Sequence, residues 1–182
     1  MRIEDLHLRF GDKVVFDGLT LDVPEGICCL IGSNGSGKTT LLRLIAGLIQ
    51  PDAGRIVGAP ARPSVCFQED RLLPWLDVLA NVTAVGASPE QAARWLTRLG
   101  LGDRLHAEIA SLSGGMKRRT ALARAFAYGG DMLLLDEPVK GLDGLQKQAV
   151  SEILRELKIP VLISAHSEEE FRELAPTVIR LG

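Results

Sequence analysis

The stretch ICCLIGSNGSGKTTLLRLIAGL, residues 27–48, decides the fold. ICCLI is a continuous apolar run without polar alternation, as a strand buried on both faces requires. GSNGSGKT, Gly32 to Thr39, fits the pattern G-x-x-x-x-G-K-[ST], and TTLLRLIAGL then places apolar residues at helical spacing until Gly47. Strand, glycine-rich loop and helix in that order predict an α/β core with a phosphate cradle. Gly32, Gly35 and Gly37 let backbone N–H groups turn inward, and the helix N-terminus adds partial positive charge. Lys38 reaches the β/γ oxygens, and Thr39 can ligate Mg²⁺.

Working outward, short β-like runs precede the cradle at 3–10, 14–16 and 19–23, separated by GDK and DG turns, and predict an antiparallel β layer. Strand character resumes at 55–57 and 64–68. From Glu69 to about Ile109 it is nearly absent, which marks a helical insertion. Its clearest helix is SPEQAARWLTRLG, with Ser88 as N-cap, Pro89 at the first position, Gln91 completing a capping box and Gly100 ending it. Ala92, Trp95, Leu96 and Leu99 form its apolar stripe. Beyond Gly129-Gly130 come buried strands MLLLD (132–136) and VLISA (161–165), a helix over 145–157 between them, and then a helix, Pro176 and the strand TVIRL. Continuous apolar strands alternating with helices imply a parallel sheet covered on both faces.

A chain of 182 residues with 46% hydrophobic content supports one domain with one insertion. Its net charge of −2 supplies no global basic field for nucleic acid or an anionic membrane. No apolar run approaches the roughly 18 residues of a membrane span. The N-terminus lacks the basic start and apolar block of a signal peptide. A cytoplasmic chain is expected. Cys28, Cys29 and Cys66 fall in apolar runs and read as buried small hydrophobes. His7 and His106 have no partners at ligand spacing, and Trp95 reads as core.

A phosphate cradle alone binds without hydrolysing, so a carboxylate for the metal is needed at a neighbouring strand end. MLLLD supplies Asp136 for the Mg²⁺ shell, and Glu137 follows to polarise the attacking water. A further feature is SLSGGMKRRTALARAF, residues 111–126, a helix opening on Ser-Gly-Gly although each interior Gly costs about 0.8–1 kcal/mol relative to Ala. Ser113, Gly114 and Gly115 expose backbone donors at a helix start, a second anion site by the same dipole argument. Lys117, Arg118 and Arg119 in the first turns, where the dipole disfavours cations, make sense if an anion sits there.

LSGGM at 112–116, between the GSNGSGKT cradle and LLLDEP, resembles the signature of ABC-type ATPases, the ATP-binding cassettes of transporters, across essentially the whole chain. The resemblance implies a P-loop NTPase (RecA-like) core with an N-terminal antiparallel β layer. Residues 1–68 and 129–182 would form the catalytic core, and about 69–128 an inserted helical subdomain bearing the signature. It implies ATP and Mg²⁺ as ligands, with Gly32, Ser33, Asn34, Gly35, Ser36, Gly37, Lys38, Thr39 and Thr40 on the nucleotide. It also implies a head-to-tail homodimer, or a pair with a related ATPase subunit, in which Ser113, Gly114 and Gly115 of one chain close over the γ-phosphate held by the other. Position by position, Phe10 matches the aromatic that stacks on adenine, and Gln68 the glutamine that senses Mg²⁺ and water. His166 matches the histidine at the γ-phosphate, and Asp143 the loop aspartate that crosses the interface. Glu137, His166 and Gln68 are the expected catalytic set, and Thr39, Gln68 and Asp136 the metal ligands.

Met116 departs from the usual signature glutamine, Ser167 stands where an aspartate is common, and no C-terminal regulatory domain is expected. FQEDRLLPWLDVLANV, residues 67–82, resembles importer ATPases of the nitrate, sulfonate and taurine type. There Leu72, Leu73, Trp75 and Leu76 either receive a helix of a transmembrane permease or pack the helical subdomain. The resemblance implies an ATPase driving transport through that permease, peripheral at the inner face of the membrane, with no nucleic acid expected. The alternative is a non-transport cassette acting on nucleic acid or the translation machinery.

Overall fold

The structure is a computed structural model that describes residues 1–167, 169, 171, 174, 175 and 177–182. Alternation at the N-terminus becomes β1 (Arg2–Phe10), whose Ile3, Leu6 and Leu8 are buried. It pairs antiparallel with β2 (Lys13–Asp22), a single strand where two were expected. The Asp17-Gly18 pair is a bulge, because Leu6 faces Leu19 while Leu8 faces Phe16, with Gly18 at φ +77° carrying the extra residue. A compensating irregularity on β1 lies between Ile3 and Leu6, where Asp5 has φ +47°. His7 sits over these two bulges, 3.1 Å from a carboxylate oxygen of each of Asp5 and Asp17, so it does have partners.

The cradle strand is β3 (Ile27–Gly32) and its helix α1 (Lys38–Ile45). β4 (Ala53–Val57) joins the antiparallel layer against β1, and β5 (Pro63–Cys66) opens the second sheet. β5 ends at Cys66, earlier than expected, leaving Gln68 beyond the strand. The insertion contains α2 (Val78–Thr83), unforeseen from sequence, and α3 (Pro89–Arg98). Ser88 caps α3 as expected by accepting from Gln91 N, and Leu99 and Gly100 close it. Next come α4 (Gly114–Tyr128), β6 (Met132–Asp136), α5 (Gly144–Glu156), β7 (Val161–Ala165) and β8 (Thr177–Leu181). Of the helix expected before Pro176, Glu168, Glu170, Arg172 and Glu173 lie outside the described residues, as does Pro176 itself.

Among the described residues the sheets run β2-β1-β4 and β5-β6-β7-β3-β8, the second parallel throughout. One apolar cluster joins α1 and the antiparallel layer to one face of the parallel sheet through Leu41, Leu42, Phe16, Leu30 and Leu134. The other packs α2 to α5 on the opposite face through Val78, Leu96, Leu122 and Ile153. The sheet is thus covered on both sides, as its apolar strands demanded. All three cysteines are buried and outside any disulfide, and burial pushes the Cys66 thiol up to about 11. Trp95 is only partly buried, tilted against Phe126 at 5.4 Å with Arg98 over its ring.

Candidate active site

The carboxyl ends of β3, β6 and β7 meet at one edge of the parallel sheet, and the loops leaving them bring the candidate residues together. After β3 the chain turns through Gly35 (φ +84°) and Gly37 (φ +96°) into α1. A Cβ on Gly37 would stand 2.7 Å from the Phe16 ring, and one on Gly32 would stand 2.5 Å from both Leu181 O and Ser36 Oγ. Only glycine fits at either position. Lys38, 7% exposed, donates to Gly32 O at 2.6 Å and Ser33 O at 3.0 Å, so its ammonium is held over the loop.

Asp136 ends β6 and is 1% exposed. One of its oxygens accepts from Thr39 Oγ1 at 2.7 Å, and the other from Ser164 Oγ on β7. Glu137, one residue on, has a left-handed backbone (φ +47°) uncommon for a side chain of its size. Its carboxylate is surrounded by donors. Lys140 Nζ reaches Oε2 at 2.8 Å, Gln68 Nε2 reaches the same oxygen at 3.2 Å, and His166 Nε2 lies 2.8 Å from Oε1. Partial burial pushes the Glu137 carboxyl up, but the Lys140 hydrogen bond and the charges of His166 and Lys140 outweigh it and hold the group below its ordinary range. A carboxylate kept ionised beside a phosphate cradle can accept a proton from water.

These groups share a cleft of about 480 Å³, whose lining includes Phe10, Lys38, Thr39, Gln68, Glu137 and His166. Phe10 is 52% exposed. The cleft also takes in Lys13 and Lys140, which sequence reasoning missed; no motif singles out a lysine at either position. The residues fit a magnesium triphosphate. Ser36 Oγ is buried without a hydrogen-bond partner among the described residues, the space beside Gly35 is open, and the hydroxyl of Thr39 and carboxylate of Asp136 are hard oxygen donors suited to Mg²⁺.

The second group of expected residues does not reach this cleft. Ser113 caps α4, its Oγ accepting from Met116 N at 3.3 Å, and Gly114 and Gly115 are the first helical residues, where a glycine is less costly than in the interior. Asp143 caps α5, accepting from Gln146 N at 2.9 Å in a reciprocal capping box. Gly115 and α5 lie side by side, since a Cβ on Gly115 would stand 3.4 Å from Gln146 Oε1. The basic residues that follow have another purpose than the one expected. Arg118, 4% exposed, is spent on backbone carbonyls of the cleft loops, and Arg119 donates to Leu99 O, Gly100 O and Gly115 O. Arg118 and Arg119 thus crosslink the fold, and Arg118 also pairs with the Asp70 carboxylate at 3.3 Å. Spacing alone carried no sign of this, because all the acceptors but Gly115 O are distant in sequence.

The description ABC transporter fits residues 16–140 in a match to a family model. The chain belongs to the ABC transporter family. It is 44% identical to the aliphatic sulfonates import ATP-binding protein SsuB 3 of Paraburkholderia xenovorans (strain LB400), over 97% of this chain and 74% of that protein. It is 42% identical to SsuB 2, a protein of the same description from Rhodococcus jostii (strain RHA1), over 100% and 78%. Among solved structures it resembles a bacterial Atm1-family ABC exporter with ATP bound (TM-score 0.90, 21% identity, 100% of this chain and 36% of that one). It also resembles the dimeric ABC transporter cassette MJ0796 (TM-score 0.86, 23% identity, 99% and 93%). At those identities the likeness speaks for the P-loop cassette fold. As an ABC ATPase, the chain binds and hydrolyses ATP to power transport through separate membrane subunits. The matches support transport over the nucleic-acid alternative. Among the described residues no helix is long and apolar enough to cross a membrane.

Proposed function

We propose that this chain is the ATPase subunit of an importer of aliphatic sulfonates. What carries the reading is the run of relatives named for that import, at 39–44% identity over 94–100% of the chain. Phe10 stacks on adenine, while the loop from Gly32 to Thr40, with Lys38, holds the phosphates. Magnesium, when bound, neutralises charge on the phosphate oxygens, and Thr39, Asp136 and Gln68 are the residues that hold it. Glu137 takes a proton from water as the water oxygen bonds to the γ-phosphorus. The bond to the bridging oxygen breaks, and ADP leaves with that electron pair. Gln68 and His166 orient the base through the contacts at 3.2 and 2.8 Å.

Ser113, Gly114, Gly115 and Asp143 serve the nucleotide of a second copy or a related subunit, two unlike surfaces exchanged about a two-fold making two composite sites. Residues 69–128 act as the helical subdomain. Trp75, 75% exposed, and its leucine neighbours meet the permease, which keeps the chain at the inner face of the membrane. Uptake of a labelled alkanesulfonate by cells lacking this gene tests the reading. Wild-type chain should restore uptake and Glu137→Gln should not. Loss of uptake of some other solute, with sulfonate uptake untouched, would remove the substrate assignment.

A further inference from the structure

Arg118 donates to six acceptors among the described residues. Its guanidinium is almost fully buried, and among the described residues its ion pair is with Asp70 at 3.3 Å. The remaining donors go to two backbone segments that are not neighbours in sequence. Nη1 donates to Phe67 O and, at 3.4 Å, to Gln68 O. Nη2 donates to Asp136 O at 2.6 Å and Glu137 O at 3.0 Å, and Nε to Pro138 O at 3.1 Å. Burying a cation is costly unless its donors are satisfied, and here the satisfaction comes entirely from the two loops that present Gln68 and Glu137.

The side chains of those loops meet in the cleft, Gln68 Nε2 to Glu137 Oε2 at 3.2 Å. Glu137 also has a backbone conformation that persists only where surrounding contacts over-determine it. Its N–H is held by Ser164 O and Ser164 Oγ on β7, and its carbonyl by Arg118. On the same helix Arg124 donates to Asp70 O at 2.7 Å and Arg71 O at 2.9 Å, tying the continuation of the Gln68 loop to α4.

We infer that Arg118 is a positioning residue for hydrolysis: it locks the Gln68 loop and the Glu137 turn to α4 as one unit, so that the helix opening on Ser113-Gly114-Gly115 sets where the general base stands. The inference rests on the roles proposed above for Gln68 and Glu137. Only a guanidinium can do this, because its planar fork of donors spans both segments, whereas an ammonium offers a single nitrogen.

Arg118→Lys preserves charge, and Arg118→Gln preserves polarity; both are compared with wild type in the full chain. Three quantities are read: kcat, the Kd for ATP, and amide hydrogen exchange. The expected result is a fall of about tenfold to 10²-fold in kcat, as for a misplaced reacting group, with Kd within about threefold of wild type. Exchange should rise in both 67–71 and 136–138 while the amides of α4 and β3 keep their protection. Exchange needs no turnover, so it tests the lock separately from the ATPase reading; a wild-type chain that fails to hydrolyse ATP would count against that reading instead. The inference is overturned if folded variants retain kcat within twofold. It is equally overturned if kcat and Kd worsen in parallel with exchange rising throughout the chain, which is the behaviour of a merely stabilising arginine.

Discussion

Thr39 Oγ1 donates a 2.7 Å hydrogen bond to Asp136 Oδ2, joining the first turn of α1 to the end of β6 across 97 positions of sequence. The bond brings the two hard oxygens proposed for magnesium to one point. Replacing Thr39 with Val keeps the shape and removes one of them. The stability cost should be modest, about 1 kcal/mol for a lost hydrogen bond. The larger effect should appear in metal dependence, with half-maximal ATPase activity moving to about tenfold or more higher magnesium. An unchanged magnesium titration would remove Thr39 from the metal site.

Asp77 caps α2 by accepting from Ala80 N at 2.7 Å, and its other oxygen lies 3.0 Å from His106 Nδ1. Burial pushes its carboxyl up, but the Ala80 N–H and the His106 contact prevail and hold it below the ordinary aspartate range. A carboxyl depressed in the folded state contributes stability that is fully present above its unfolded pKa and lost as pH falls through its folded value. Asp77→Ala should therefore cost about 0.5–2 kcal/mol near neutral pH. The gap from wild type should close as urea unfolding is followed down in pH below the unfolded value. A gap that stays constant through the acid range would contradict the assignment.

Gly114 would carry a Cβ into open space, and on Gly115 the nearest atom would be at an ordinary 3.4 Å. The chain itself therefore has room for alanine at both places. Gly114→Ala and Gly115→Ala should leave the melting temperature of the isolated chain within a few degrees of wild type. If the helix start faces a partner's nucleotide, hydrolysis should nevertheless fall by about 10²-fold, the scale of a lost charge-stabilising contact. Full activity in both variants would show that this surface is not used.

Trp75 is the most exposed aromatic outside the cleft, at 75%, and lies just before the Asp77 cap. Trp75→Ala should leave basal ATPase unaltered within about twofold while sulfonate uptake drops, if this segment meets the permease. Equal uptake by variant and wild type would place the contact elsewhere.

What sequence alone reveals here follows from which interactions are local. The cradle, the strand-end carboxylates and the buried parallel strands were legible because each is a short run whose period or spacing has one physical meaning. Ser88 was legible as a cap for the same reason. Gly18 was misread as a turn, since a bulge and a hairpin turn both call for glycine after aspartate and only the pairing of Leu8 with Phe16 separates them. The helix α2 is too short for its period to register, although Asp77 before Val78 was a usable capping signal. The contacts of Arg118 and Arg119 were not foreseen because helix-dipole reasoning sees only their own helix, while most of their acceptors arrive from the end of β6 and from the segments that follow β5, β6 and α3. Lys140 belongs to the cleft through its ion pair with Glu137, made within a turn where helical spacing rules do not apply.

The account turns on a nucleotide held between the cradle of one chain and the Ser-Gly-Gly helix start of another. Sedimentation of the Glu137→Gln chain with magnesium ATP tests this most directly. The account predicts a species of twice the chain's mass that requires ATP and is lost when Gly114→Asp is added. A chain that stays single at saturating ATP, or pairs equally well with the Gly114→Asp change, would contradict it.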